Sequence, residues 1–338
     1  MNAKLLILAA AAAGLLLMAG VYRFTRPVSA LMGPEEAQAR LEDAAARFNA
    51  AIDNKRDVGP LLADIKPIVE QHPRLRDARV LLGQWYTHTG DHPRAYEQFA
   101  RALELDPADA PLHNLAGATA VQMDQLNLAQ THHRAAVENE PDNPRWLLSL
   151  GDALLKLDRL DEAKLAFLEV LRQNLTLHEA HAGLADVFAL RGGEGDLQRA
   201  IEQMEKARAG VYGEPDRLEA HVAYVRKLAR LYDQNGEAME AARVVDTLTP
   251  APARRRPEVL EELAGYLARN GQPVAAALEY QFALEAQPDY PAYAAGAARW
   301  LIEAGRRDAA RGAVERLGLL DPDHPELQTL REALAEAP

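Results

Sequence analysis

After about residue 30, apolar residues recur at i, i+3 and i+4 along most of the chain. In EQFARALELDP (97–107), Phe99, Ala102 and Leu103 fall on one side of a helix. The pattern predicts short amphipathic helices, and it repeats. With Arg76 as position 1 of a 34-residue frame, copies start at Arg76, Ala110, Pro144 and His178, then after a longer step at Val222, Pro257 and Pro291. Position 20 is alanine in every copy: Ala95, Ala129, Ala163, Ala200, Ala241, Ala276 and Ala310. Ala200 aligns after a three-residue insertion in RGGEGD. Position 8 is Gly83, Gly117, Gly151, Ala185, Ala229, Ala264 and Ala298. Position 15 is Gly90, Asp124, Asp158, Gly192, Gly236, Gly271 and Gly305, and position 32 is Pro107, Pro141, Pro288 and Pro322 in four copies.

Each feature has a physical reading. Position 15 ends a first helix in a tight turn that glycine and aspartate tolerate. Small residues at positions 8 and 20 let two helix axes approach where they cross. Position 24, which is Phe99, His133, Phe167, Met204, Val245, Tyr280 and Val314, fills the space between copies. Proline at position 32 ends the second helix and opens the next copy. The period, the small residues, the aromatics and the terminal proline resemble the tetratricopeptide repeat family over about Arg76 to Pro322. The resemblance implies an all-α, right-handed α-solenoid of about seven helix-turn-helix units whose stacking creates the core. It also implies a concave groove lined by the first helix of each pair. The array is expected over 76–324, with 325–338 as a capping helix. Residues 34–75 are expected to be a helical segment with room for one degenerate repeat.

The N-terminus departs from this pattern. Leu5 to Val21 is an uncharged, mostly apolar run between Lys4 and the pair Arg23 and Arg26. At about 1.5 Å per residue it reaches roughly 25 Å, the short end of a bilayer span. Residues 1–30 are therefore expected to be a transmembrane anchor that leaves the repeats periplasmic, as in anchored repeat proteins of the bacterial envelope. The alternative is a signal peptide cleaved near Ala30, with secretion to the periplasm.

Composition narrows the function classes. The net charge of −12 argues against nucleic acid, because phosphate binding needs a basic face. The chain has no cysteine, which removes disulfides, thiolate catalysis and cysteine-held zinc. No phosphate-binding loop, GxSxG or HExxH motif occurs, so no catalytic residue, cofactor or metal ligand is assigned. His178 and His181 form a two-ligand spacing without a third ligand nearby. His133 falls on the packing position, and His132 is expected to be solvated.

Function is expected in the groove, at positions such as 5 and 9. The candidate partner-binding residues are Gln84, Asn114, Asp152, Asp186, Arg226, Lys227, Arg230 and Arg299. Some relatives grip a terminal carboxylate with lysine at position 5 and asparagine at position 9, and no copy here has that pair. Arg226, Lys227 and Arg230, with Arg254, Arg255 and Arg256 in the following loop, form a local basic cluster suited to an acidic segment of a partner. The alternative is a solvated face paired with acids such as Asp216, Glu219 and Asp233. The expected function is a scaffold that binds a partner protein or peptide. Its rival is a structural assembly factor for an envelope complex, of cytochrome c maturation or secretion type, acting through the convex face or the N-terminal helices.

Overall fold

The computed structural model describes residues 32–174, 176–248 and 256–336. The described residues form α-helices and short 3-10 turns, with no strand. Their contacts divide the chain at Pro141 and Asp142 into two compact units.

The first unit contains α1 (Pro34–Asp53), α2 (Leu62–Gln71), α3 (Arg76–His88), α4 (His92–Leu103), α5 (Ala110–Gln122) and α6 (Leu126–Asn139). α1 and α2 share a core with α3, built from Leu41, Phe48, Ile65, Ile68, Leu82 and Trp85. The indole of Trp85 donates to the Val58 carbonyl at 2.8 Å and ties α3 to the turn between α1 and α2. The second unit contains α7 (Pro144–Lys156), α8 (Leu160–Gln173), α9 (His178–Arg191), α10 (Asp196–Ala209), α11 (Leu218–Gln234), α12 (Ala238–Asp246), α13 (Pro257–Arg269), α14 (Pro273–Ala286), α15 (Pro291–Glu303), α16 (Arg307–Leu320) and α17 (Leu327–Glu336). Leu327 and Leu330 of α17 cover Ala294, Ala298 and Leu317 of the last pair.

The helix pairs follow the 34-residue frame. All seven position-15 residues have left-handed backbone, including the non-glycines Asp124 and Asp158 at φ 58°. All seven position-20 alanines are fully buried. Asp109 and Asn143 cap α5 and α7, their side chains accepting from the backbone N–H of Leu112 and Arg145. One boundary differs from the frame. α11 starts at Leu218, one turn before the position-1 residue Val222.

Positions 8 and 24 are matched in size in six of the seven copies; in the sixth, Tyr280 shares its copy with Ala264 and is met instead by Gly296 of the next copy, where a Cβ would lie 2.3 Å from its ring. A Cβ on Gly83 would lie 2.4 Å from the Phe99 ring, one on Gly117 2.7 Å from His133, and one on Gly151 2.6 Å from Phe167. Phe167 is also met by Gly183 of the next copy, at 2.4 Å. Where position 24 is Met204, Val245 or Val314, position 8 carries a methyl group in Ala185, Ala229 or Ala298. Ring and glycine together fill one volume, as close packing demands.

The insertion in RGGEGD closes on itself. Asp196, 1% exposed, accepts from Arg191 at 2.5 and 2.6 Å, from Arg199 at 2.9 Å and from the Gly193 N–H at 3.0 Å. Arg191 is the first of the partners that hold its carboxyl well below the usual carboxylate range.

The expectation of a membrane-anchored chain with periplasmic repeats is corrected. Among the described residues no helix is long and apolar enough to cross a membrane. The longest, α1, carries Glu35, Glu36, Arg40, Glu42, Asp43 and Arg47, whose transfer into hydrocarbon is prohibitive. The apolar segment on which both the anchor and the cleavage near Ala30 rested lies outside the described residues.

Candidate binding groove

In the first unit, a cavity of about 490 Å³ opens on the face of the first helices α1, α3 and α5. Its floor is Phe48, Phe99, Leu115 and Thr119. The local sequence places them there: Phe48 lies one turn before Ile52 on α1, and Phe99 fills the notch left by Gly83. The rim carries Asn49, Ile52, Gln84, Thr87, His88 and Gln122. The His88 ring stands edge-on to Phe48, with centroids 6.2 Å apart. No Asp, Glu, Lys or Arg lines the cavity. Gln84 lines this cavity, as does Ala118 at the same position of the next copy. Asn114 sits one turn from Ala118, with its side-chain oxygen buried and unpartnered.

On the second unit's first helices, the candidate residues form a ladder of ion pairs. Lys227 reaches Asp186 of the preceding pair at 2.7 Å. Arg226 binds Glu262 of the following pair at 2.9 and 3.0 Å, and Arg230 binds the same carboxylate. Burial would raise Glu262, but the two arginines outweigh it and hold the carboxyl below its ordinary value. Arg299 bridges Glu261 at 2.5 Å and Glu326 at 2.7 Å. Arg256 pairs with Glu219, and Asp233 pairs with Arg269. Arg254 and Arg255 lie outside the described residues. The basic cluster is therefore charge-compensated by neighbouring copies, chiefly through Glu262 and Asp186.

Asp152 stands apart. The residue is partly exposed on α7 while neighbouring helices crowd its carboxyl, and neither a hydrogen bond nor an ion pair engages it. Burial among the surrounding helices, then the Asp186 charge, push its carboxyl up to about 6 against the pull of Lys156 and Lys227.

The histidines divide. His178 pairs with the Tyr224 hydroxyl at 3.0 Å and His181 with Gln203 at 2.8 Å, so the two face different partners. Among the described residues no group of three or more His, Cys, Asp or Glu could hold a metal. His133 is 3% exposed, and its Nδ1 has no partner. His132 is half-buried rather than solvated, because it sits in a relay. The Pro107 carbonyl can only accept, so His113 holds its proton on Nε2 (3.0 Å). His113 Nδ1 then accepts from His132 Nδ1–H at 3.1 Å, and His132 Nε2 accepts from the Tyr96 hydroxyl at 3.0 Å.

Residues 77–109, 115–174 and 267–334 each match a model described as tetratricopeptide repeat. The chain carries tetratricopeptide repeats. The type IV pilus assembly protein PilF of Pseudomonas aeruginosa is 30% identical over 100 residues, which make up 30% of this chain and 40% of that protein. The crystal structure of PilW, a widely conserved type IV pilus biogenesis factor, aligns with a TM-score of 0.55 at 17% identity, covering 70% of this chain and 100% of that one. The C-terminal part of a TPR repeat-containing protein from Cytophaga hutchinsonii aligns with a TM-score of 0.55 at 14% identity, covering 74% and 98%. At such identities the two structures share a fold with this chain: an all-α tetratricopeptide-repeat solenoid.

In the repeat frame, the residues that sequence reasoning passed over are those that answer the candidates. Glu262 stands at position 6, and Phe48, Asn49 and Ile52 precede the first copy. The Phe48–Ile52 spacing was the available signal for a further groove wall. Nothing local marks Glu262 as the counter-ion of two arginines.

Proposed function

We propose that this repeat protein is a non-enzymatic scaffold that binds a segment of a partner protein against its first-helix face. Tetratricopeptide-repeat proteins mediate protein–protein interaction, and one observation supports the groove in particular: a formed, uncharged cavity at that face of the first unit. The partial similarity to a pilus assembly protein favours assembly of a multi-subunit structure as the setting. An acidic partner segment would have to displace Glu262 and Asp186 from Arg226, Arg230 and Lys227, at the cost of breaking existing pairs.

A second reading is favoured by α14. Its inner face buries Ala276, Ala277, Tyr280 and Ala283, yet Val274, Leu278 and Phe282 form an exposed i, i+4, i+8 apolar stripe. That stripe suits scaffolding through the second helices.

The test compares three baits in its own cells: the full chain, a first-helix variant with Ala118→Trp and Asp152→Lys, and a second-helix variant with Leu278→Glu. Captured partners are identified by mass spectrometry after crosslinking. Loss of the same partner in the first-helix variant alone supports the groove. Loss in Leu278→Glu alone supports the second reading. Equal recovery from all three baits refutes both.

A further inference from the structure

The cavity of the first unit has a chemistry that the rest of the first-helix face lacks. The second unit's face is laced with ion pairs, whereas no Asp, Glu, Lys or Arg lines this cavity, whose titratable side chains are His88 and His92. A charge placed in it would lose water and gain no counter-charge, which is strongly unfavourable. The floor is deep and apolar, with Phe48 3% and Phe99 1% exposed. On the rim, Ile52 is 39% exposed, so apolar surface continues outward to an incoming chain.

The rim groups identify what should lie across that floor. The side-chain carboxamides of Asn49, Gln84 and Gln122 take part in no hydrogen bond within the protein. Each carboxamide offers a donor and an acceptor, the complement of a peptide group's C=O and N–H. They come from α1, α3 and α5 respectively. An extended backbone crossing three helices could satisfy one after another while dropping a side chain between them.

Resting on the groove reading above, we infer that the cavity takes a large apolar side chain from an uncharged, extended segment of the partner, with Asn49, Gln84 and Gln122 holding the segment's main chain. Specificity in this unit then comes from shape and exclusion of charge. Losing the anchor's burial should weaken binding about tenfold or more.

The probe is a phage-displayed library of random heptapeptides selected on the immobilised full chain. Selected peptides are then synthesised with capped ends and measured by fluorescence polarisation. The expected consensus has Leu, Ile, Met or Phe at one fixed position and is depleted in Asp, Glu, Lys and Arg beside it. Replacing that residue by Ala weakens binding at least tenfold. Ala118→Trp, at an exposed position on the cavity edge, abolishes binding by filling the space. Gln84→Ala with Gln122→Ala weakens it without changing helicity. A charged consensus, no enrichment, or undiminished binding to Ala118→Trp overturns the inference. Binding lost in Asp152→Lys but kept in Ala118→Trp also overturns it, yet leaves the groove reading standing in the second unit.

Discussion

Gly83→Ala isolates the reason for the small residue at position 8. The added Cβ would lie 2.4, 2.7 and 2.9 Å from three atoms of the Phe99 ring. Alanine in a helix interior is favoured over glycine by about 1 kcal/mol, so propensity alone predicts a gain. Overpacking a well-packed core costs about 1–3 kcal/mol, and contacts this short point to the upper end. Phe99 is 1% exposed and has little room to yield. The expected net effect is a loss of roughly 2 kcal/mol. The internal control is Gly312→Ala on α16, where a Cβ would meet nothing within 4 Å. Propensity acts there unopposed, and a gain of about 0.5–1 kcal/mol is expected. Urea unfolding followed by circular dichroism at 222 nm measures both as midpoint shifts at constant slope. Adding Phe99→Leu to Gly83→Ala should recover part of the loss, since the two sites share one volume. If Gly83→Ala is as stable as the parent, or Gly312→Ala is equally destabilised, the size-matching argument fails.

Acid should weaken the first unit. Burial, then a neighbouring histidine, lowers His132 and His133 from 6.5 to about 4. The unfolded chain therefore takes up protons first, and stability falls as pH drops from about 6.5 towards 4. By pH 5 the loss is roughly 2 kcal/mol from buried His133, and less from half-buried His132, which water screens. His133→Phe copies the aromatic found at position 24 in two other copies and removes an unpartnered buried nitrogen. It should gain about 1 kcal/mol at neutral pH and flatten the pH dependence of the urea midpoint, and an unchanged pH profile would count against it. Asp152 has the opposite sign. Its carboxyl is raised to about 6, so the folded chain binds that proton more tightly and stability falls as pH rises from about 4 to about 6. Asp152→Asn should match the parent at pH 4 and exceed it at pH 7 by under about 1 kcal/mol, because the residue is partly exposed; equal thermal midpoints at pH 7 would remove Asp152 as an unpartnered groove charge.

The repeat architecture was legible from residue types alone because its causes are local. A left-handed turn, a helix crossing and a helix stop each constrain one position, and repetition multiplies the signal. Asp124 and Asp158 turn as the glycines do, and Ala95 to Ala310 are buried at every crossing. What each surface side chain meets was decided by tertiary structure. Arg226 and Arg230 are joined by Glu262, 36 and 32 residues away, because that separation brings the next first helix alongside. His132, expected to be solvated, lies between Tyr96 and His113 because three helices converge there. Gly83 and Phe99 were visible as small and large residues, but only packing makes them one filled volume. Only packing, too, brings α1 beside α3 and α5 to complete a cavity whose uncharged lining comes from four helices. Helix formation and turn geometry are encoded within a few neighbouring residues. Charge pairing and cavity shape depend on distances between residues far apart in the chain, and these exist only once the helices have stacked.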